Sequence, residues 1–315
     1  MKKSASLLGM CMFFSACLFI FTGVQARAEG SSGYAGLNAC GKCHPVEFES
    51  YSSSIHAKKA ISGSPANAEA CESCHGPGAE HVAKGGLGDI FAFNKKTAPK
   101  AKEAKCLSCH EETGVIAFWS QGKHAAEGVS CDNCHSIHHG GYKFLKGVAS
   151  KGDVYEVCYR CHRDIRNMVD KQSHHPVEEG KVSCADCHNP HGTFNEKMLT
   201  ADTVNDLCYK CHPDKRGPFM NEHPPVEENC LNCHTPHGSN HNKLLVEHGV
   251  VLCQRCHDTS RHPGTPYTQW STFNPPAGLK NVYVSPRIVA RMCLNCHTNI
   301  HGSNYPGTYG ETFIR

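Results

Sequence analysis

Twenty of the cysteines in this chain fall into ten Cys-x-x-Cys-His motifs. In chain order they are Cys40, Cys43 and His44; Cys71, Cys74 and His75; Cys106, Cys109 and His110; Cys131, Cys134 and His135; Cys158, Cys161 and His162; Cys184, Cys187 and His188; Cys208, Cys211 and His212; Cys230, Cys233 and His234; Cys253, Cys256 and His257; and Cys293, Cys296 and His297. Every cysteine after Cys17 belongs to one of them. Two thiols three residues apart, followed at once by an imidazole, form the attachment signature of c-type haem. The thiols add across the porphyrin vinyl groups, and the histidine becomes an axial ligand of the iron. Zinc sites and thiol redox centres also use Cys-x-x-Cys, but neither requires a histidine after every pair. Numbered one to ten in chain order, the motifs predict ten covalently bound haem c groups (iron).

Iron held between two imidazoles needs a second histidine per haem. The chain has 24 histidines, so fourteen remain after the ten motifs take theirs. Repetition picks candidates among them. His191 and His237 each follow a motif histidine by three residues, in His-x-x-His-Gly. His174 and His223 both precede a Pro-Val-Glu-Glu stretch, and His124 holds the equivalent place further upstream. His138 keeps the spacing of His191 and His237, whereas the adjacent His139 keeps the following glycine; spacing favours His138. Alignment with His223 favours His174 over its neighbour His175. His56 and His81 are the spare histidines near the first two motifs, and His262 and His301 those near the last two. His241 and His248 are left as ordinary histidines. Thioether ligation would raise the potential, but Met168, Met198, Met220 and Met292 do not recur with the motifs and read as packing. Trp119 and Trp270 read as packing against porphyrin, with an electron relay as the competing role.

These ligands sit on an internal repeat. Each unit is a motif, a spacer with a histidine, and a second motif followed by His-x-x-His. Three units begin at Cys106, Cys158 and Cys208, with looser pairs of motifs on either side. The thiols at i and i+3 share a face if each motif forms one helical turn. Phe48, Tyr51 and Ile55 lie at helical spacing and predict a helix over residues 45–61. Asp202 reads as the N-cap of a short helix leading into Cys208, and Ser285-Pro286 as the start of another leading into Cys293. Residues 84–105 and 264–279 read as surface loops. No alternating strand pattern appears. The predicted fold is a multihaem cytochrome c, loop-rich, with short α-helices wrapped around an extended row of ten haems and little or no β-sheet.

Composition supports a core made of cofactor. Only 39% of the residues are hydrophobic, and twenty of those are the motif cysteines. Removing cofactor should unfold such a chain, as removing zinc unfolds a zinc finger. Residues 1–28 read as a secretory signal peptide, with Lys2 and Lys3 ahead of an apolar run and Ala26-Arg27-Ala28 as the cleavage site. A retained transmembrane anchor and a lipoprotein site at Cys17 are the competing readings; the apolar Leu18 to Phe21 argue against the second. Residues 29–315 are then a single decahaem domain. Cleavage leaves 29 basic and 29 acidic residues. Two propionates per haem make the holoprotein acidic, which argues against a nucleic-acid partner.

The stretch over residues 131–138 that ends Cys-His-Ser-Ile-His, the two Cys-His-x-Pro-His-Gly copies, and the final Cys-His-Thr-Asn-Ile-His-Gly-Ser-Asn carry a resemblance. With the ten motifs, they make the mature chain similar to the Mtr/DmsE-type porin-associated decahaem cytochromes of metal-reducing and iron-oxidising bacteria. The resemblance implies a periplasmic, bis-histidine electron carrier at the outer membrane, inserted in a β-barrel porin. It also implies exchange with periplasmic electron carriers and with an extracellular multihaem cytochrome or reductase. Two bound imidazoles at every iron leave no open position, so no catalytic residue and no enzyme activity are expected. The rival readings are a soluble periplasmic electron store, a membrane-anchored quinol dehydrogenase, and a multihaem nitrite or hydroxylamine oxidoreductase. The last would need an iron with an open position.

Overall fold

The computed structural model describes residues 33–138, 154–257 and 292–314. The Ser285-Pro286 start, the 264–279 loop, His139, His262, Trp270 and the signal segment lie outside them.

Every motif sits in one turn of helix. The amide of the motif histidine donates to the carbonyl of the first cysteine, for example His44 to Cys40 at 2.9 Å, His188 to Cys184 at 2.9 Å and His257 to Cys253 at 3.0 Å. In motifs two and three the same turn lies inside the helices Cys71–His75 and Pro99–His110. This bond holds both thiols on one side and fixes the histidine directly after them. Serine caps start two of the turns: Ser130 and Ser183 form capping boxes with Asn133 and Asp186 at the helices Cys131–Cys134 and Cys184–Cys187.

Between the motifs the chain is mostly turn and loop. Among the described residues the longest helix is Pro99–His110, followed by Pro45–Ser53. The first corrects the loop predicted over 84–105. Residues 84–98 are irregular, but Pro99 at the first helical position starts a helix that runs through the third motif. The helix predicted over 45–61 stops at Ser53, because Ser54 turns extended at ψ 163°. The cap before Cys208 is Thr203, one residue after the expected Asp202; its hydroxyl accepts from the Asp206 amide at 3.0 Å. Sheet among the described residues amounts to Ser173–His174 paired antiparallel with Gly238–Ser239.

The polypeptide's own apolar core is small. Among the described residues the buried hydrophobic ones are Tyr51, Ala70, Trp119, Tyr159, Val169 and Leu245. That is far too few to hold the described segments together by side-chain burial alone. Polar ties link successive segments instead. Glu72, 3% exposed, accepts from the amides of Ala35 at 2.8 Å, Gly36 at 2.8 Å and Gly78 at 2.7 Å. Asn205 joins motifs seven and eight: its amide group donates to Val226 and Glu227 carbonyls, both at 2.9 Å, and its oxygen accepts from the Cys230 amide at 2.8 Å.

The glycine of His-x-x-His-Gly has a steric cause. Gly192 has φ +114°, and a Cβ there would sit 2.5 Å from the Phe118 carbonyl oxygen. A Cβ on Gly238 would overlap the Met168 carbonyl. The residue after each of these histidines therefore packs against backbone from the preceding unit.

Candidate haem-binding site

Nine of the ten motif histidines face a second imidazole across a gap of constant size. Ring centroids are 6.5 Å apart for His44–His81, 6.0 Å for His75–His138 and 6.1 Å for His110–His56. They are 6.1 Å apart for His135–His191, 6.1 Å for His162–His124 and 6.1 Å for His188–His237. They are 6.5 Å apart for His212–His175, 6.2 Å for His234–His301 and 6.0 Å for His257–His223. Two imidazoles bonded to opposite sides of one metal ion, each at about 2.0 Å, put their ring centres about 6.3 Å apart. The residues therefore fit an iron with two axial imidazoles. The expected second ligand of motif ten, His262, lies outside the described residues.

One sequence expectation is corrected. His175, not His174, faces His212. His174 lies in the short strand, and successive strand residues point to opposite faces. Both its nitrogens are engaged, Nδ1 with the Lys171 carbonyl at 2.6 Å and Nε2 with the Glu179 carboxylate at 3.1 Å. The Lys171 carbonyl and then Glu179 raise its pKa, favouring the protonated ring that cannot ligate. His175 donates Nδ1–H to the Pro236 carbonyl at 2.6 Å, which leaves Nε2 for metal. The signal was in the sequence: His175-Pro176 matches His223-Pro224, once the histidine is aligned on the proline after it rather than on Val-Glu-Glu.

Backbone carbonyls orient the rings at most sites. Among motif histidines, Nδ1 of His75 bonds the Phe91 carbonyl at 2.8 Å, His188 that of Lys197 at 2.8 Å, and His234 that of Lys243 at 2.8 Å. His297 bonds the Thr312 carbonyl in the same way. Among the second histidines, His81 bonds Gly88 at 2.8 Å, His124 bonds Pro190 at 2.8 Å, and His223 bonds Ile300 at 3.1 Å. An Nδ1–H donated to a carbonyl fixes the tautomer and makes Nε2 the metal-binding nitrogen. Burial lowers the pKa of His56, His135, His191, His223 and His237, and takes His301 to about 4. The rings are therefore neutral and able to donate a lone pair.

The pairing follows a rule that motif spacing did not reveal. A second histidine that follows an even motif faces the histidine of the even motif two places earlier: His138 faces motif two, His191 four, His237 six and His301 eight. A histidine in the spacer after an odd motif faces that of the odd motif two places later: His56 faces three, His124 five, His175 seven and His223 nine. Each unit thus lends its spare histidines to its neighbours.

The cysteines place the motifs in a row. First cysteines of adjoining motifs lie side by side, close enough to perturb each other, in the pairs Cys40–Cys71, Cys106–Cys131, Cys158–Cys184, Cys208–Cys230 and Cys253–Cys293. Cys74 and Cys109, Cys134 and Cys158, Cys187 and Cys211, and Cys233 and Cys256 lie within electrostatic reach of each other. Every motif is therefore linked to the next in unbroken chain order. As free thiols the adjoining pairs perturb each other: burial first and then Cys40 push Cys71 up to about 11, while Cys158 draws Cys184 down to about 7.

A loop-rich chain whose haem-attachment turns form one continuous row, with paired imidazoles, is a multihaem c-type cytochrome. Its class of activity is electron transfer. Residues 174–217 and 223–262 match the doubled CXXCH motif family, and residues 71–154 match the family of NrfB-like c-type cytochromes. The multiheme cytochrome MtrA of Shewanella baltica is 35% identical over 283 residues, which is 89% of this chain and 82% of that protein. This chain belongs to the MtrA family of multiheme cytochromes. The polyheme cytochrome OmcB of Geobacter sulfurreducens is 28% identical over 183 residues, 54% of this chain but 22% of OmcB. The dissimilatory sulfite reductase MccA of Wolinella succinogenes is 27% identical over 209 residues, 51% of this chain and 28% of MccA.

Proposed function

We propose that this protein carries ten bis-histidine haems and conducts electrons across the outer membrane from within a β-barrel porin. The supporting observation is that the cysteines of each motif lie within electrostatic reach of those of the next, in chain order from Cys40 to Cys293. A row in chain order has two distinct ends, one for a donor and one for an acceptor. The ligands are the ten motif histidines with His56, His81, His124, His138, His175, His191, His223, His237, His301 and, at motif ten, His262. Residues 1–28 are the cleaved signal peptide, and residues 29–315 act as one body. The protein works at the periplasmic side of the outer membrane. Periplasmic electron carriers meet one end, and an extracellular multihaem cytochrome or reductase meets the other. No helix among the described residues is long and apolar enough to cross a membrane. In this reading the partner barrel provides the passage through a hydrocarbon core of about 30 Å.

Paired imidazoles on both sides of an iron favour outer-sphere electron transfer over bond chemistry at the metal. The protein is not an enzyme in this reading. The experiment is transport across liposomes that hold the complex purified from native membranes and enclose an oxidised dye. External reductant is expected to reduce the enclosed dye only when both cytochrome and barrel are present. Equal reduction without the cytochrome, or recovery of the cytochrome solely as a soluble monomer, would overturn the conduit. A high-spin ferric EPR signal in the native protein would instead favour the oxidoreductase reading.

A further inference from the structure

The odd motifs three, five, seven and nine form a matched series within one chain. In each, a motif histidine on the surface is paired with a histidine brought from the spacer two motifs earlier. In three of the four, that spacer histidine donates Nδ1–H to the carbonyl just before a second histidine of the neighbouring even motif. His124 bonds Pro190, before His191; His175 bonds Pro236, before His237; His223 bonds Ile300, before His301. The equivalent bond at motif three would run from His56 to Ile137, before His138. It is not made, and neither His56 nor His110 has a ring hydrogen bond among the described residues. The backbone of His56 is nonetheless held, since its carbonyl accepts from Tyr51 at 3.0 Å and Ser64 at 2.6 Å. Only the ring is left unanchored. The interplanar angle follows this difference: 85° for His56–His110, against 59°, 41° and 20° for motifs five, seven and nine.

From this contrast we infer that the haem on Cys106 and Cys109 is reduced before the other three of its series, because its axial histidines are the least electron-donating. The inference rests on the axial pairing proposed above. Two effects act in one direction. An imidazole whose N–H is donated to a carbonyl is the more basic ligand, and it stabilises the ferric state. His56 lacks that support. Crossed rings also donate into two different iron d orbitals rather than reinforcing one, which weakens ferric stabilisation and leaves those orbitals close in energy. The step is a plain exchange of one electron: a neighbouring ferrous haem becomes ferric as this ferric haem becomes ferrous, with no bond made or broken. The third position along the row would then hold an electron while the haems of motifs five, seven and nine are still oxidised.

The test is EPR of the purified holoprotein, followed as the solution is poised at successively lower potential. Near-degenerate orbitals give a low-spin signal with an unusually large maximum g value; near-parallel rings give an ordinary rhombic signal. The expected result is a large-g component equal to about one haem that disappears at higher potential than the signals of the matched sites. His56→Asn should remove that component and leave the rhombic ones, while His124→Asn should spare it. If no large-g component exists, or if it is reduced together with or after the others, the inference is overturned. If His56→Asn fails to mature, the titration of the unaltered protein decides alone. A native spectrum with high-spin or Met-ligated haem would refute the axial pairing itself, a separate failure.

Discussion

At the scale of single residues, the adjacent His174 and His175 give the sharpest test of the ligand assignment. His175→Ala should leave the haem on Cys208 and Cys211 without its second imidazole, and a high-spin signal worth about one haem should appear in the ferric EPR spectrum. His174→Ala should leave the spectrum low-spin throughout. Glu72 is a second decisive residue. One buried carboxylate satisfies three amides that have no other partner, so Glu72→Ala should cost on the order of 3 kcal/mol in denaturant unfolding. A merely superficial role would predict almost no change. The motif cysteines and histidines were fully legible in the sequence, because covalent chemistry dictates both residue type and spacing. The second histidines were legible as a group through their repetition. His174 was chosen because the repeat was aligned on Val-Glu-Glu; aligned on the proline that follows the histidine, the repeat points to His175.

At the scale of the element, the motif turns and the histidine spacers answer to different constraints. The turns are local, each closed by one hydrogen bond between residues four apart, so sequence alone predicted them. The exchange of ligands is tertiary, and nothing local encodes it. The unit that begins at Cys158 shows the consequence. Its two motif histidines are paired with His124 and His237, both outside the unit, while its own His175 and His191 face motifs seven and four. Produced alone, residues 154–193 should attach two haems but give neither its native second ligand. The check is a comparison of its ferric absorption and EPR spectra with those of the whole protein. Fully native bis-histidine spectra from the isolated unit would refute the exchange. The helix Pro99–His110 was missed for a related reason: its lysine-rich face looks like a loop, and its contacts with the second and fourth motifs, including Lys102 to Asp132 at 3.1 Å, give it a reason to be ordered.

At the scale of the whole molecule, stability and acid response follow from the thin apolar core and the buried imidazoles. Chemical removal of the iron should abolish cooperative unfolding monitored by far-UV circular dichroism, because the ligands bridge units that share little other packing. The pH dependence has a definite sign. Burial takes the His301 ring down to about 4 in the folded chain, against about 6.5 for an unfolded histidine. The unfolded state therefore takes up its proton first, and stability is lost as pH falls from about 6.5 towards 4. Denaturant midpoints measured between pH 7 and 4 should decline over that window, and a flat profile would contradict the burial of these rings. The row of ten motifs was visible in the sequence only as a count. Its linear order emerged from which cysteines adjoin, a relation between turns that no single turn reports.

The exchange of histidines with a stride of two motifs bears on how such a chain can change length. Inserting or deleting one whole two-motif unit restores the same relation on both sides of the seam, since every histidine still finds a recipient two motifs away. Inserting a single motif shifts odd into even and leaves mismatched histidines throughout the remainder. Gene duplication can therefore lengthen or shorten this protein in steps of two haems without redesigning any ligand. Only the outermost motifs, which have no neighbour to borrow from, must be solved afresh, as His81 does for His44 at one end.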